Sequence, residues 1–129
     1  MNASNLTQPQ RGDIFWADFP SNQSAGSEQR GRRPVLVVSV SVINALPICI
    51  IVPLTSQLNK ANRHHRIILI ESHKIQEPGT QGCRGDSLAL TEQIRSISRI
   101  RLDAQRIAKL KPTAMAAVEA GIKYVLGIF

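Results

Sequence analysis

Three polar clusters in this chain have the residue types to handle a phosphate. The first is Gly26-Ser27-Glu28-Gln29-Arg30-Gly31-Arg32-Arg33-Pro34. Its arginines, Arg30, Arg32 and Arg33, carry forked donors that match phosphate oxygens better than a point charge does. Glu28 adds a proton acceptor, although a solvated hairpin loop could carry the same residues. The second cluster is Thr55-Ser56-Gln57, directly after the aliphatic run Ile48 to Leu54. A hydroxyl at a strand end is either held toward a ligand or caps the polar turn that follows. The third is Glu92-Gln93-Ile94-Arg95, a carboxylate, an amide and a guanidinium at a strand boundary. These groups could read base edges or hold a phosphate, and they would also suit an ordinary solvated strand face.

Other reactive residue types are less organised. His64 and His65 are adjacent, so on a strand their rings point to opposite faces, and His73 stands among polar residues. Neither they nor the two cysteines, Cys49 and Cys83, show metal-ligand spacing, so no metal site and no cofactor is expected. Cys49, inside an apolar run, reads as a small core residue, and both thiols as reduced. The tripeptides Arg11-Gly12-Asp13 and Arg84-Gly85-Asp86 read as turns.

The elements that must position these groups are mainly strands. Asp13 to Phe19 partly alternates, Pro34 to Val40 is a Val/Leu run suited to a strand buried on both faces, and Ile48 to Leu54 is a third strand. The turn before that third strand contains Asn44 and Pro47. Strand character returns at Arg66 to Ile70 and, after a Gly/Pro-rich turn from Glu77 to Asp86, at Ser87 to Thr91. Glu92 to Leu102 is a further strand, or the continuation of one long bent strand, because Ile94, Ile97, Ile100 and Leu102 break strict alternation. A short strand follows at Arg106 to Leu110. Pro112 then opens an amphipathic helix with Met115, Val118, Ile122, Val125 and Leu126 on one stripe. About six strands and a terminal helix predict a mainly β fold: a small antiparallel barrel or curled sheet with the helix packed on it.

Composition bounds the setting. A length of 129 residues with 43% hydrophobic content suits one compact domain, here 11–129, behind a polar lead-in of residues 1–10 expected to be flexible. That lead-in has no apolar segment of the secretory kind, and the apolar stretch from Ile43 to Leu54 is too short and too interrupted to span a bilayer. A soluble, cytoplasmic protein without a membrane partner is expected. Sixteen Lys and Arg against nine Asp and Glu give a formal charge of +7, a field that attracts polyanions, nucleic acid first among them.

Taken in order, Arg11-Gly12-Asp13-Ile14-Phe15-Trp16, Gly26-Ser27-Glu28-Gln29, Arg33-Pro34-Val35-Leu36-Val37, Val52-Pro53-Leu54-Thr55-Ser56-Gln57 and Glu92-Gln93-Ile94-Arg95-Ser96-Ile97 closely resemble the MazF/PemK family of toxin endoribonucleases. The resemblance runs from Arg11 to Phe129. It implies an SH3-like antiparallel barrel, a homodimer, metal-independent cleavage of single-stranded mRNA, and neutralisation by an antitoxin whose disordered segment, acidic by charge complementarity, covers the RNA groove. Carried over by position, Arg33 and Thr55 are catalytic and Glu28 falls in a loop lining the RNA site; because a guanidinium gives up its proton very unfavourably near neutral pH, the Glu28 carboxylate is the candidate base. Ser27, Gln29, Arg30, Arg32, Ser56, Gln57, Glu92, Gln93 and Arg95 are the RNA-binding candidates. Some relatives carry His at the position of Ser27 and an Arg-x-Asp arrangement where this chain has Leu90-Thr91-Glu92, so a mechanism built on those residues does not transfer.

Trp16 lies within a strand, where core or dimer packing is expected over base stacking. The competing class is a CcdB-like toxin, which shares the barrel and poisons DNA gyrase by contact. A gyrase binder would not require the loop arginines paired with Thr55.

Overall fold

In this computed structural model, which describes residues 8–19, 31–57, 67–71, 75–76 and 85–128, the first three strands are buried on both faces. They are β1 (Asp13–Phe19), β2 (Gly31–Val37) and β3 (Ile48–Thr55). Ile14, Leu36, Val38, Val52 and Leu54 join one apolar cluster, whereas Phe15, Ala17, Phe19, Val35, Val37, Cys49 and Ile51 join a second on the opposite face. Side-chain alternation thus divides even-numbered from odd-numbered positions, and a one-residue register slip would reverse both faces.

Five further strands complete the sheet: β4 (Ile67–Ile70), β5 (Ile75–Gln76), β6 (Ser87–Leu90), β7 (Arg95–Ser98) and β8 (Ala108–Leu110). Their order is β4-β6-β3-β2-β1-β8-β5, with β7 pairing the first half of β3, and each pairing is antiparallel. The sheet curls into a half-barrel, the expected mainly β architecture. The terminal helix α2 (Pro112–Leu126) opens with a proline and ends at Gly127, whose φ of +70° lets the Ile128 N–H donate back to the Lys123 carbonyl at 2.8 Å. Ala114, Met115 and Val118 on α2 close over the even-numbered face, so much of the expected apolar stripe is used in the core.

Strand ends depart from the sequence reading for local reasons. Gly31 to Arg33 pair with β1 despite the proline that follows, so β2 begins earlier than Pro34. It ends at Val37, because Ser39 and Asn44 bond each other: Ser39 Oγ donates to Asn44 Oδ1 and Asn44 Nδ2 to the Ser39 carbonyl at 2.9 Å. The Ile50 N–H donates to Ser39 Oγ at 2.9 Å, and the expected turn becomes one turn of helix, α1 (Ser41–Asn44). The irregular stretch from Glu92 to Leu102 resolves into two 3-10 turns, Thr91–Gln93 and Arg99–Arg101, on either side of β7. The short β5 has no counterpart in the sequence reading.

Candidate active site

The β2–β3 ladder points two of the sequence candidates toward one another. Val37, Leu36 and Val35 oppose Ile51, Val52 and Pro53, where the pairing ends, and the same register carried two residues further would place Arg33 at the level of Thr55. Both are odd-numbered, so both belong to the face that carries Phe19, Val35 and Ile51. Arg33 is half-buried at the start of β2, while Thr55, at the end of β3, is only 4% exposed. The Gln57 N–H donates to Thr55 Oγ1 at 3.2 Å. This is the turn-capping contact anticipated for Thr55, and because it uses an oxygen lone pair it leaves the hydroxyl proton for another acceptor. Ser56 and Gln57 follow, both exposed.

Arg95 stands opposite Ile51 on the other side of β3, with its guanidinium carbon 5.3 Å from the centre of the Phe19 ring. Phe19 is at the far end of β1, so the curl of the sheet makes this contact. Arg33, Thr55 and Arg95 thereby share one face.

Glu92 and Gln93, like Arg95, stand farther along the sheet from Thr55. β6 opposes Thr55 with Leu88 and runs away from it, so the turn carrying Glu92 lies about four residues, or roughly 13 Å at 3.3 Å per residue, along the sheet. That turn abuts α2, where a Cβ on Gly121 would meet Ile68 Cγ1 at 2.9 Å and Thr91 Cγ2 at 3.1 Å. Ser27, Glu28, Gln29 and Arg30 lie outside the described residues, as do His64, His65, His73 and Cys83.

Arg32, adjacent to Arg33, faces the other way. It opposes Asp18 on β1, its guanidinium carbon lies 5.3 Å from the Trp16 ring centre, and its Nη1 donates to Asp103 Oδ1 at 2.9 Å while Nη2 donates to Oδ2. The ion pair lowers the Asp103 carboxyl below its ordinary value, chiefly through the hydrogen bond from Arg32, and raises Arg32 correspondingly. The sequence reading did not single out Asp103, which is 71 residues from its partner.

Two other polar groups have structural surroundings. Asp13, 2% exposed, accepts from the Gln10 N–H at 2.9 Å, Arg106 Nη1 at 3.2 Å and Lys109 Nζ at 3.3 Å, which secures the start of β1. Cys49 is buried, and desolvation pushes its thiol up to about 11, so it is not a nucleophile near neutral pH. Among the described residues no three His, Cys, Asp or Glu side chains gather at one point, and no helix is long and apolar enough to cross a membrane.

Residues 10–126 match the model of the PemK-like, MazF-like toxin of type II toxin-antitoxin systems. The chain is 33% identical over 119 residues to Endoribonuclease EndoA of Bacillus subtilis, covering 92% of this chain and 94% of that protein. It is 28% identical over 120 residues to Endoribonuclease toxin MazF of Escherichia coli, covering 92% and 95%. Among solved structures it resembles MazF from Deinococcus radiodurans, with a TM-score of 0.72, 28% identity, and 94% and 98% of the two chains covered. A mycobacterial endoribonuclease in complex with its cognate antitoxin shares the fold, at a TM-score of 0.66, 16% identity, and 96% and 98% coverage.

Proposed function

The chain belongs to the PemK-like, MazF-like family of type II toxins, and we propose that it is the endoribonuclease of such a system, cutting single-stranded RNA by metal-independent attack of a 2′-hydroxyl on the adjacent phosphate. The observation that supports the reading is the β2–β3 register, which pairs Val35 with Pro53 and, extended two residues past that pair, would bring a guanidinium and a hydroxyl to one end of the sheet.

In the proposed reaction the 2′-oxygen bonds to phosphorus, the bond to the 5′-oxygen breaks, and the products are a 2′,3′-cyclic phosphate and a 5′-hydroxyl. Glu28 takes the 2′-hydroxyl proton, and the departing 5′-oxygen takes its proton from solvent. Arg33 carries a permanent charge and forked donors toward the phosphorane, and Thr55 donates to the same oxygens. In this proposal Ser27, Gln29, Arg30, Ser56 and Gln57 serve the unstacked strand near the scissile phosphate, and Glu92, Gln93 and Arg95 serve its continuation along the sheet, loop amides and hydroxyls selecting bases.

The same reading carries a cytoplasmic homodimer and an antitoxin with an acidic segment, the latter supported by the formal charge of +7. The proposed dimer surface is the apolar patch at the end of β3 remote from Thr55. Ile100 is 86% exposed there and stands beside a cavity of about 270 Å³ bordered by Phe15, Ala45, Pro47 and Leu102. A projecting residue beside a recess on one patch is what a two-fold, self-complementary contact requires.

The test is incubation of the purified protein with a long defined RNA in EDTA, followed by mapping of the new 5′ ends. Discrete cuts bearing 5′-hydroxyls are expected. Intact RNA together with inhibited gyrase would replace this reading with the gyrase-binding one.

A further inference from the structure

Arg32 and Arg33 are consecutive on β2, yet alternation points them to opposite faces, so whatever fixes one fixes the presentation of the other. Arg32 reaches across β1. Its guanidinium passes over Trp16 and closes a two-pronged pair with Asp103, which lies along the other edge of β1, where the Asp103 N–H donates to the Trp16 carbonyl at 2.9 Å and Leu102 bridges Ala17. Three successive segments are thereby tied side by side at the level of Arg33, which itself opposes Ala17.

We propose that Arg32, Asp103 and Trp16 form a strap over β1 that positions Arg33 for cleavage, making Arg32 a positioning residue and not a contact to the RNA backbone. The proposal rests on the ribonuclease reading of Arg33. Two further features support it. Pro34 and Pro53 bring no N–H to the ladders beside Arg33 and Thr55, so the backbone alone holds this end less firmly. Moreover, both outer nitrogens of Arg32 already donate to a carboxylate that offsets its charge, leaving little for an approaching phosphate.

The strap can be tested in the full-length protein with Arg32→Gln, Arg32→Lys, Asp103→Asn and the double variant Arg32→Gln/Asp103→Asn. Trp16 is the single tryptophan, so its emission reports the strap without reference to activity. Both Arg32→Gln and Asp103→Asn are expected to shift that emission. Each is expected to slow single-turnover cleavage by on the order of tenfold, short of the ~100-fold that a full 1 Å misplacement can cost. The double variant should be no slower than either single one, since both remove the same contact. Arg32→Lys should remain slow, because an ammonium cannot make the fork. Binding to an uncleavable 2′-deoxy-substituted RNA should keep its salt dependence in all four.

A phosphate contact would behave differently. Arg32→Gln would lower the salt slope by about 0.7, Arg32→Lys would restore the rate, and Asp103→Asn would cleave at the wild-type rate. That pattern, or unchanged Trp16 emission in both single variants, would overturn the proposal. If the wild-type protein cut no RNA, the ribonuclease reading would fail by itself, and the strap would be judged on Trp16 emission alone.

Discussion

At the scale of single residues, charge and burial set separate pH limits. Asp103 has a lowered carboxyl, so the strap contributes stability above the ordinary carboxylate value near 4 and loses it as pH falls through the lower, folded value. Trp16 emission should therefore stay constant from pH 8 to 5 and change only in stronger acid; a change centred near pH 6 would contradict the assignment. Cys49 behaves oppositely. Its thiol is raised by burial to about 11, so its contribution is complete below the unfolded value of about 9 and is lost as pH rises toward 11. The stability difference between the wild type and Cys49→Val, followed by urea unfolding, should shift against the wild type over that interval and be flat below it. The strand-end positions of Arg33 and Thr55 were legible from a hydroxyl after five aliphatics and an arginine before a Pro-Val-Leu run, whereas their joint role is implied by the family resemblance alone. Asp103 was not legible, since a surface carboxylate in a polar stretch carries no periodic signal and its partner is 71 residues away.

At the scale of elements, alternation and helical spacing were enough to locate β1, β3 and α2. They fell short where side chains cap the backbone: Ser39 and Asn44 end β2 early, and the 3-10 turns around β7 read as irregular alternation. Gly121 shows how closely α2 must approach the sheet. An added Cβ would meet the branched Cγ1 of Ile68 at 2.9 Å, a stem atom with little room to move. Alanine favours a helix by about 1 kcal/mol over glycine, whereas overpacking costs roughly 1–3 kcal/mol. Gly121→Ala should therefore lower the thermal midpoint despite its better helix propensity, and a rise would show that Ile68 yields freely.

At the scale of the whole molecule, net charge and a remote apolar patch describe how the domain meets its partners. Because Ile100 is exposed, Ile100→Asp should leave the fold and circular dichroism intact while converting a dimer into a monomer by light scattering. A variant that stayed dimeric would place the interface elsewhere. The sequence was informative about the positive field and silent about this patch, since Ala45 and Pro47 before β3 and Ile100 after β7 come from distant segments that border one cavity. Service of Arg33 and Thr55 in attack by a 2′-hydroxyl can be measured with an RNA carrying a single 2′-deoxynucleotide immediately 5′ of a mapped scissile phosphate, in EDTA. The wild type should cut the all-ribose strand and leave the substituted one intact, while Arg33→Ala cuts the all-ribose strand on the order of 100-fold more slowly or not at all. Cleavage of the deoxy-substituted strand at the same bond, or a wild-type rate for Arg33→Ala, would contradict it.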